Sequence, residues 1–374
     1  MDKLVSFQKI YYEWWKNIDK FILTLIILLF LIGLFFSLVS TSLIASDKLN
    51  TNDYLFFFKH LIFLCIGAFF IFIFSSMSQK NLFKISIFLF VLSIVLLLLV
   101  PLIGIEVKGS KRWIDLYLLP RFQPIELAKP FLIVFLSIIL SSERYVNVHL
   151  KYLVSFLVTL GVVFLLALQP DIGQTLLIFF SWSVLIFISG ISFIFLISLF
   201  FVLFLSFTYL ILFIPKFVYI KSRILSFFDT ETGSHNFQSD KAIESIISGG
   251  FFGKGIGEGT LKNRVPEAHT DYIISVISEE FGIIAIILIL FLFLVFIHTV
   301  FRKVNLENDN ESKLILVGCI SLILMQTMIH VGVNIRLFPT TGMTLPFISY
   351  GGSSIVGMSI ISGIILNLTK RKIG

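Results

Sequence analysis

FILTLIILLFLIGLFFSLVSTSLIA, residues 21–45, carries no charged side chain. At about 1.5 Å of rise per residue, a helix of this length crosses the ~30 Å hydrocarbon core of a bilayer. The run is too long for the core of a signal peptide and lacks a clear small-x-small cleavage site, so it reads as a retained transmembrane helix. Further apolar runs lie at about 57–76, 83–104, 126–142, 153–170, 172–190, 192–215, 274–300, 313–333 and 346–368, separated by charge, Pro or Gly clusters. The ten together predict an all-α polytopic membrane protein. Composition agrees: 57% of the 374 residues are hydrophobic and 14% charged, against about 25% charged in soluble domains. A soluble enzyme, a secreted disulfide scaffold and a disordered chain are excluded. The net charge of +7 points to basic residues flanking membrane helices and not to nucleic acid. Cys65 and Cys319 sit in apolar runs and offer neither a disulfide framework nor a CxxC metal site.

An even number of spans puts both termini on one side. With the N-terminus in the cytoplasm, inner segments hold fourteen Lys and Arg and the short outer loops seven, which favours cytoplasmic termini. The chain then reads as a single ten-span domain over 1–374. It has a cytoplasmic N-terminal segment, 1–20, and one long extracytoplasmic loop, 216–273, between the seventh and eighth spans. Trp14 and Trp15 would anchor the inner interface, and 216–228 and 237–248 look like amphipathic helices on the membrane surface. All nine prolines fall on the outer half of this arrangement. Because irregular backbone at membrane depth must be buried or line a wet cavity, the outer half is where a site is expected.

Five outer segments could carry chemistry. GSKRWIDLYLLPRFQPIELAKP, 109–130, places Lys111, Arg112 and Arg121 beside Trp113 and sends Glu126 and Lys129 into the fourth span. Three residues apart, Glu126 and Lys129 share a helix face; they make either an internal ion pair or part of a cationic pocket for a phosphate-bearing lipid. In QPDIG, 169–173, Asp171 is better placed to cap the sixth span than to do chemistry. GGFFGKGIGEG, 249–259, with Lys254, lacks the spacing of a nucleotide loop but could bring backbone N–H groups to a pyrophosphate. VPEAHTDYIISVISEEFG, 265–282, sets Glu267, His269 and Asp271 before an apolar span. Asp271 is either a boundary carboxylate whose partial desolvation suits a general base, or, with Thr270, a helix cap. Glu279 and Glu280 need partners, and one of them could balance Lys129. NIRLFPTTGMTLPFISYGGSS, 334–354, is a Pro- and Gly-interrupted re-entrant stretch with Arg336 outward, whose GGSS run serves either a polar site or close helix packing.

Taken in order, GSKRWIDL, RFQPIELAK, QPDIG, GKGIGEGT, VPEAHTD, EEFG and GMTLPFISYGGSS resemble the signature segments of the SEDS family (shape, elongation, division and sporulation), across 109–354. The resemblance is closer to the division branch than to the elongation branch. Tyr117, Ile125, Phe237 and the extra Pro120 depart from the family pattern. The resemblance implies a septal peptidoglycan glycosyltransferase of the bacterial cytoplasmic membrane. It would polymerise lipid II into β-1,4 glycan with inversion, releasing polyprenyl pyrophosphate. It further implies Asp271 as the catalytic carboxylate, with Arg112, Arg121 and Lys129 stabilising the leaving pyrophosphate, with or without a divalent cation (Mg or Mn). The wider substrate-binding set would be Arg112, Trp113, Arg121, Gln123, Glu126, Lys129, Lys254, His269 and Ser353. Implied partners are the nascent glycan strand, a class B penicillin-binding protein transpeptidase and other division proteins. The competing readings are a lipid II flippase, an elongation polymerase and a scaffold that only recruits a transpeptidase.

Overall fold

A computed structural model describes residues 2–41, 55–107, 110–115, 120–142, 148–213, 221, 225, 237–259 and 268–370. The helices, in chain order, are α1 (Asp2–Asn17), α2 (Lys20–Thr41), α3 (Leu55–Ser76), α4 (Gln79–Ile103), α5 (Pro124–Ser141), α6 (Val148–Leu168), α7 (Ile172–Ile188), α8 (Phe193–Phe213), α9 (Phe237–Gly249), α10 (Ile273–Leu306), α11 (Asn310–Asn334) and α12 (Gly352–Leu368). Each of the ten apolar runs contains a helix. Eight are long and apolar enough to cross a membrane, and α7 and α12 are shorter apolar helices. The amphipathic run at 237–248 is α9, whereas 216–228 lies, but for two residues, outside the described residues.

Capping side chains account for several helix starts. Asp19 Oδ1 accepts from the N–H groups of Phe21 and Ile22 at 3.1 and 3.2 Å. Its other oxygen lies 2.7 Å from Lys303 Nζ, which fastens the start of α2 to the last turns of α10. Ser78 caps α4, Asp171 caps α7 and Asp309 caps α11. Each satisfies N–H groups that have no partner within the helix.

The buried centre is formed by α5, α11 and α12, which are covered by other helices along nearly their whole length. Peripheral helices present large apolar side chains instead: Ile194 on α8 is 81% exposed and Leu102 at the end of α4 is 77%. Such surfaces are stable only in an apolar solvent, as a bilayer provides. Helices α3 and α12 pack together over a long seam, and their small residues permit the close approach. A side chain at Gly67 would strike Ser359, and one at Gly352 would strike the Phe63 ring. Packing is thus one task of the GGSS run.

Two local features depart from the expected pattern. Residues Ile105–Val107 (β1) and Ser110–Trp113 (β2) form an antiparallel hairpin, with Glu106 opposite Lys111 and Ile105 opposite Trp113. Opposite charges and apolar pairs facing across a ladder stabilise it. The second is a break in α10 at Gly282, with φ 77° and ψ 176°. An unbroken helix would join the carbonyls of Glu279 and Glu280 to the N–H groups four residues on. Here the Glu279 and Glu280 carbonyls accept from Lys254 and Gly255 at 2.9 and 3.0 Å, while Ile283 N–H donates to the Gly250 carbonyl at 3.0 Å. The glycine-rich loop thus stands in for the missing helical turn. The N–H groups of Lys254 and Gly255 are consumed by the break and so are not offered to a pyrophosphate.

Gly282→Ala is expected to destabilise the fold markedly, because the backbone there is left-handed and a Cβ would lie 2.1 Å from the Phe251 carbonyl oxygen. Thermal melting in detergent checks it: the variant should melt several degrees lower or fail to accumulate.

Candidate active site

Apart from Lys254, which lies against Glu279 near the break in α10, the predicted site residues gather at the end of the bundle where the hairpin, the starts of α5, α7, α10 and α12, and the end of α11 meet. They form two groups joined by residues 341–343. In the first, Arg112 Nε donates to the Gln169 carbonyl at 3.2 Å, its Nη2 donates to the Pro170 carbonyl, and Nη1 lies 3.6 Å from Asp171 Oδ1. Gln123 Nε2 donates to Asp171 Oδ2 at 3.0 Å. Asp171 Oδ1 also accepts from Gln174 N–H, which makes it the α7 cap expected from its position. Burial pushes the Asp171 carboxyl above the usual carboxylate range, and the Arg112 guanidinium pulls it back. Arg112 therefore binds the hairpin to the 169–171 turn. Trp113 ends the hairpin strand, half-buried. Arg121, by contrast, holds a 64% exposed side chain beside Asp115 at 2.9 Å.

A buried polar chain runs inward from there. Gln174 Nε2 donates to Glu126 Oε1 at 2.7 Å, and Lys129 Nζ lies 2.9 Å from Glu126 Oε2. Lys129 also donates to Gln326 Oε1 at 3.1 Å, Gln326 Nε2 donates to the Thr344 carbonyl at 3.0 Å, and the Thr344 and Ser354 hydroxyls are 2.7 Å apart. Lys129 is 1% exposed. Its counter-charge is Glu126, not Glu279 or Glu280, so the internal ion pair inferred from the three-residue spacing is the arrangement present. Glu279 instead faces Lys254 at 3.6 Å and accepts from Ser245 at 2.9 Å. Ser353 is buried at the start of α12, next to the serine that meets Thr344.

The second group surrounds Asp271, half-buried just before α10. Neither Thr270 nor Asp271 is the cap of that helix; Tyr272 occupies the cap position and makes no capping side-chain bond. The His269 ring packs against Phe56 and Tyr350, with centroids 4.9 and 5.9 Å away. Gly342, at φ +72°, comes so close that a Cβ there would stand 3.5 Å from Asp271 Oδ2. On the other side of the same short segment, Thr341 and Met343 press on Gly173 of the Asp171 turn. Residues 341–343 thereby hold the two groups next to each other.

Three polar residues of α11 were not singled out by the sequence reading: Gln326, His330 and Asn334. All are essentially fully buried, and all bond to the site segments. His330 Nδ1 lies 2.7 Å from the Met343 carbonyl, and Asn334 Nδ2 donates to the Asp271 carbonyl at 3.1 Å. Their spacing of four in an apolar span puts them on one helix face and was the available signal. Arg336, just beyond, pairs with Asp240 of α9 at 2.6 Å. That pair is partly exposed, so Arg336→Gln is expected to cost at most about 1 kcal/mol, read as a small change in melting temperature.

Among the described residues no three His, Cys, Asp or Glu side chains converge.

Residues 19–373 match the family model described as cell cycle protein, FtsW/RodA/SpoVE. The chain is 31% identical to the probable peptidoglycan glycosyltransferase FtsW of Caulobacter vibrioides, over 96% of this chain and 91% of that one. It is 32% identical to stage V sporulation protein E of Bacillus subtilis, over 94% and 97%. Among solved structures, it resembles a chain of a peptidoglycan synthase complex described as coordinating polymerization and crosslinking, with TM-score 0.78, 27% identity, and 94% and 97% of the two chains covered. It also resembles the rod shape determining protein RodA of Thermus thermophilus, with TM-score 0.68, 26% identity, and 94% and 96% covered. The ten apolar helices, the signature segments from 109 to 354 and these matches along nearly the whole chain agree: the chain belongs to the FtsW/RodA/SpoVE family.

Proposed function

We propose that this protein is a peptidoglycan glycosyltransferase that polymerises lipid II, acting in the division septum with a class B penicillin-binding protein. Asp271 is the general base. It takes the proton from the acceptor's 4-hydroxyl as that oxygen attacks the anomeric carbon of the donor. The bond from that carbon to the phosphate oxygen breaks, and polyprenyl pyrophosphate departs with the bonding electrons. Attack from the opposite face gives inversion and a β-1,4 link. The observation that carries the reading is the placement of Asp271: a half-buried carboxylate beside the backbone of Gly342, just before the apolar helix α10. A proton acceptor is needed where a sugar headgroup can approach while its lipid tail stays among apolar helices.

Arg121 keeps an exposed guanidinium beside Asp115, with donors suited to the pyrophosphate. Arg112 contributes by holding the Asp171 turn, and Lys129, neutralised by Glu126, by ordering the start of α5 against α11. The Lys and Arg distribution favours cytoplasmic termini, and on that reading Asp271 stands on the outer side. The named relatives support the reaction, and the synthase complex supports the transpeptidase partner. The test is incubation of purified protein with lipid II, with the product digested by muramidase. Disaccharide-peptide units released from a polymer support the reading, and unreacted lipid II contradicts it.

A further inference from the structure

Three consecutive carbonyls, those of His269, Thr270 and Asp271, each accept a hydrogen bond from a different donor. Tyr350 N–H donates to His269 at 3.1 Å, Ser349 Oγ to Thr270 at 2.7 Å, and Asn334 Nδ2 to Asp271 at 3.1 Å. Two of these donors are side chains, and both are buried, Ser349 to 2% exposure and Asn334 to 0%. Their directions are fixed by other bonds. Ser349 Oγ accepts from Leu345 N–H at 2.8 Å, so its single hydrogen is committed to Thr270. Asn334 Nδ2 also donates to the His330 carbonyl at 2.9 Å. With two carbonyl oxygens in front of it, that position must be the NH₂ end of the amide. The triplet is therefore gripped by two separate elements, the last turn of α11 and the turn before α12. Gripping both peptide planes beside Asp271 sets the direction of its Cα–Cβ bond, and so where its carboxylate stands above Gly342.

We infer that Ser349 and Asn334 are positioning residues for Asp271, holding its carboxylate at the distance from the acceptor hydroxyl that proton transfer needs. The inference rests on the reading of Asp271 as the base. Neither side chain needs to touch substrate. Their effect should therefore fall on turnover and not on substrate affinity, because displacing a reacting group by about 1 Å costs on the order of 10²-fold.

The experiment measures kcat and KM for lipid II, with melting temperature, for purified Ser349→Ala, Ser349→Thr, Asn334→Leu and Asp271→Asn. Ser349→Ala and Asn334→Leu should lower kcat by roughly 10- to 100-fold with KM and melting temperature little changed. Ser349→Thr, which keeps the hydroxyl, should recover most of the rate. If either variant fails to fold, the other carries the same expectation; if both fail, the residues are structural and the inference is overturned. It is also overturned if both keep wild-type kcat, or lose activity through KM or stability, while Asp271→Asn is inactive. An active Asp271→Asn would instead overturn the general-base reading beneath it.

Discussion

Asp271→Asn is expected to bind lipid II as the wild type does and to lose polymerisation by at least ~10²–10⁴-fold, the usual worth of general-base help. The two side chains have nearly the same shape. The clamp on the peptide planes either side of Asp271 involves backbone oxygens of the triplet, so it survives the change. Gly342 would still make its close approach. What disappears is the ability to accept a proton at the attacking oxygen. Binding measured on lipid II vesicles should match the wild type while glycan formation does not. Equal rates for the two proteins would remove Asp271 from the chemistry.

Lys129→Met should have the largest effect on stability. Lys129 and Glu126 are 1% and 4% exposed, 2.9 Å apart. Removing the cation leaves a buried carboxylate with the Gln174 amide and no counter-charge. Breaking a buried pair in this way costs about 3–5 kcal/mol. The Gln326 amide oxygen loses its donor as well, although Gln326 keeps its bond to Thr344. Adding Glu126→Gln to Lys129→Met removes the stranded charge and should restore much of the loss. Thermal melting of the single and double variants in the same detergent checks both statements. A single variant that melts with the wild type would show that the pair carries little of the fold's stability.

The scarcity of charge made the ten helices readable, because an uncharged run of about 20 residues has one dominant solution in lipid. The same scarcity exposed Glu126 and Lys129 as a pair. Other features depended on contacts between distant segments, which no local pattern encodes. The break at Gly282 lies inside an apolar run, and it exists because the loop at 250–255 supplies substitute hydrogen bonds. Arg112 was expected to face a pyrophosphate, yet the 169–171 turn occupies it. The pairing of Ile105–Val107 with Ser110–Trp113 was obscured by the shortness of the strands. Gln326, His330 and Asn334 were visible in principle through their spacing of four. Their task became clear only when 343–350 and 269–271 were found against them. The candidate carboxylate was legible from its position before an apolar span, but its neighbours were not.

The most direct measurement supplies lipid II only to the outer face of vesicles that hold the purified protein in one orientation. It follows glycan length together with release of polyprenyl pyrophosphate. Polymer should form from the wild-type protein with one polyprenyl pyrophosphate released per link, and none should form from Asp271→Asn. Passage of intact lipid II across the bilayer with no polymer would contradict the account.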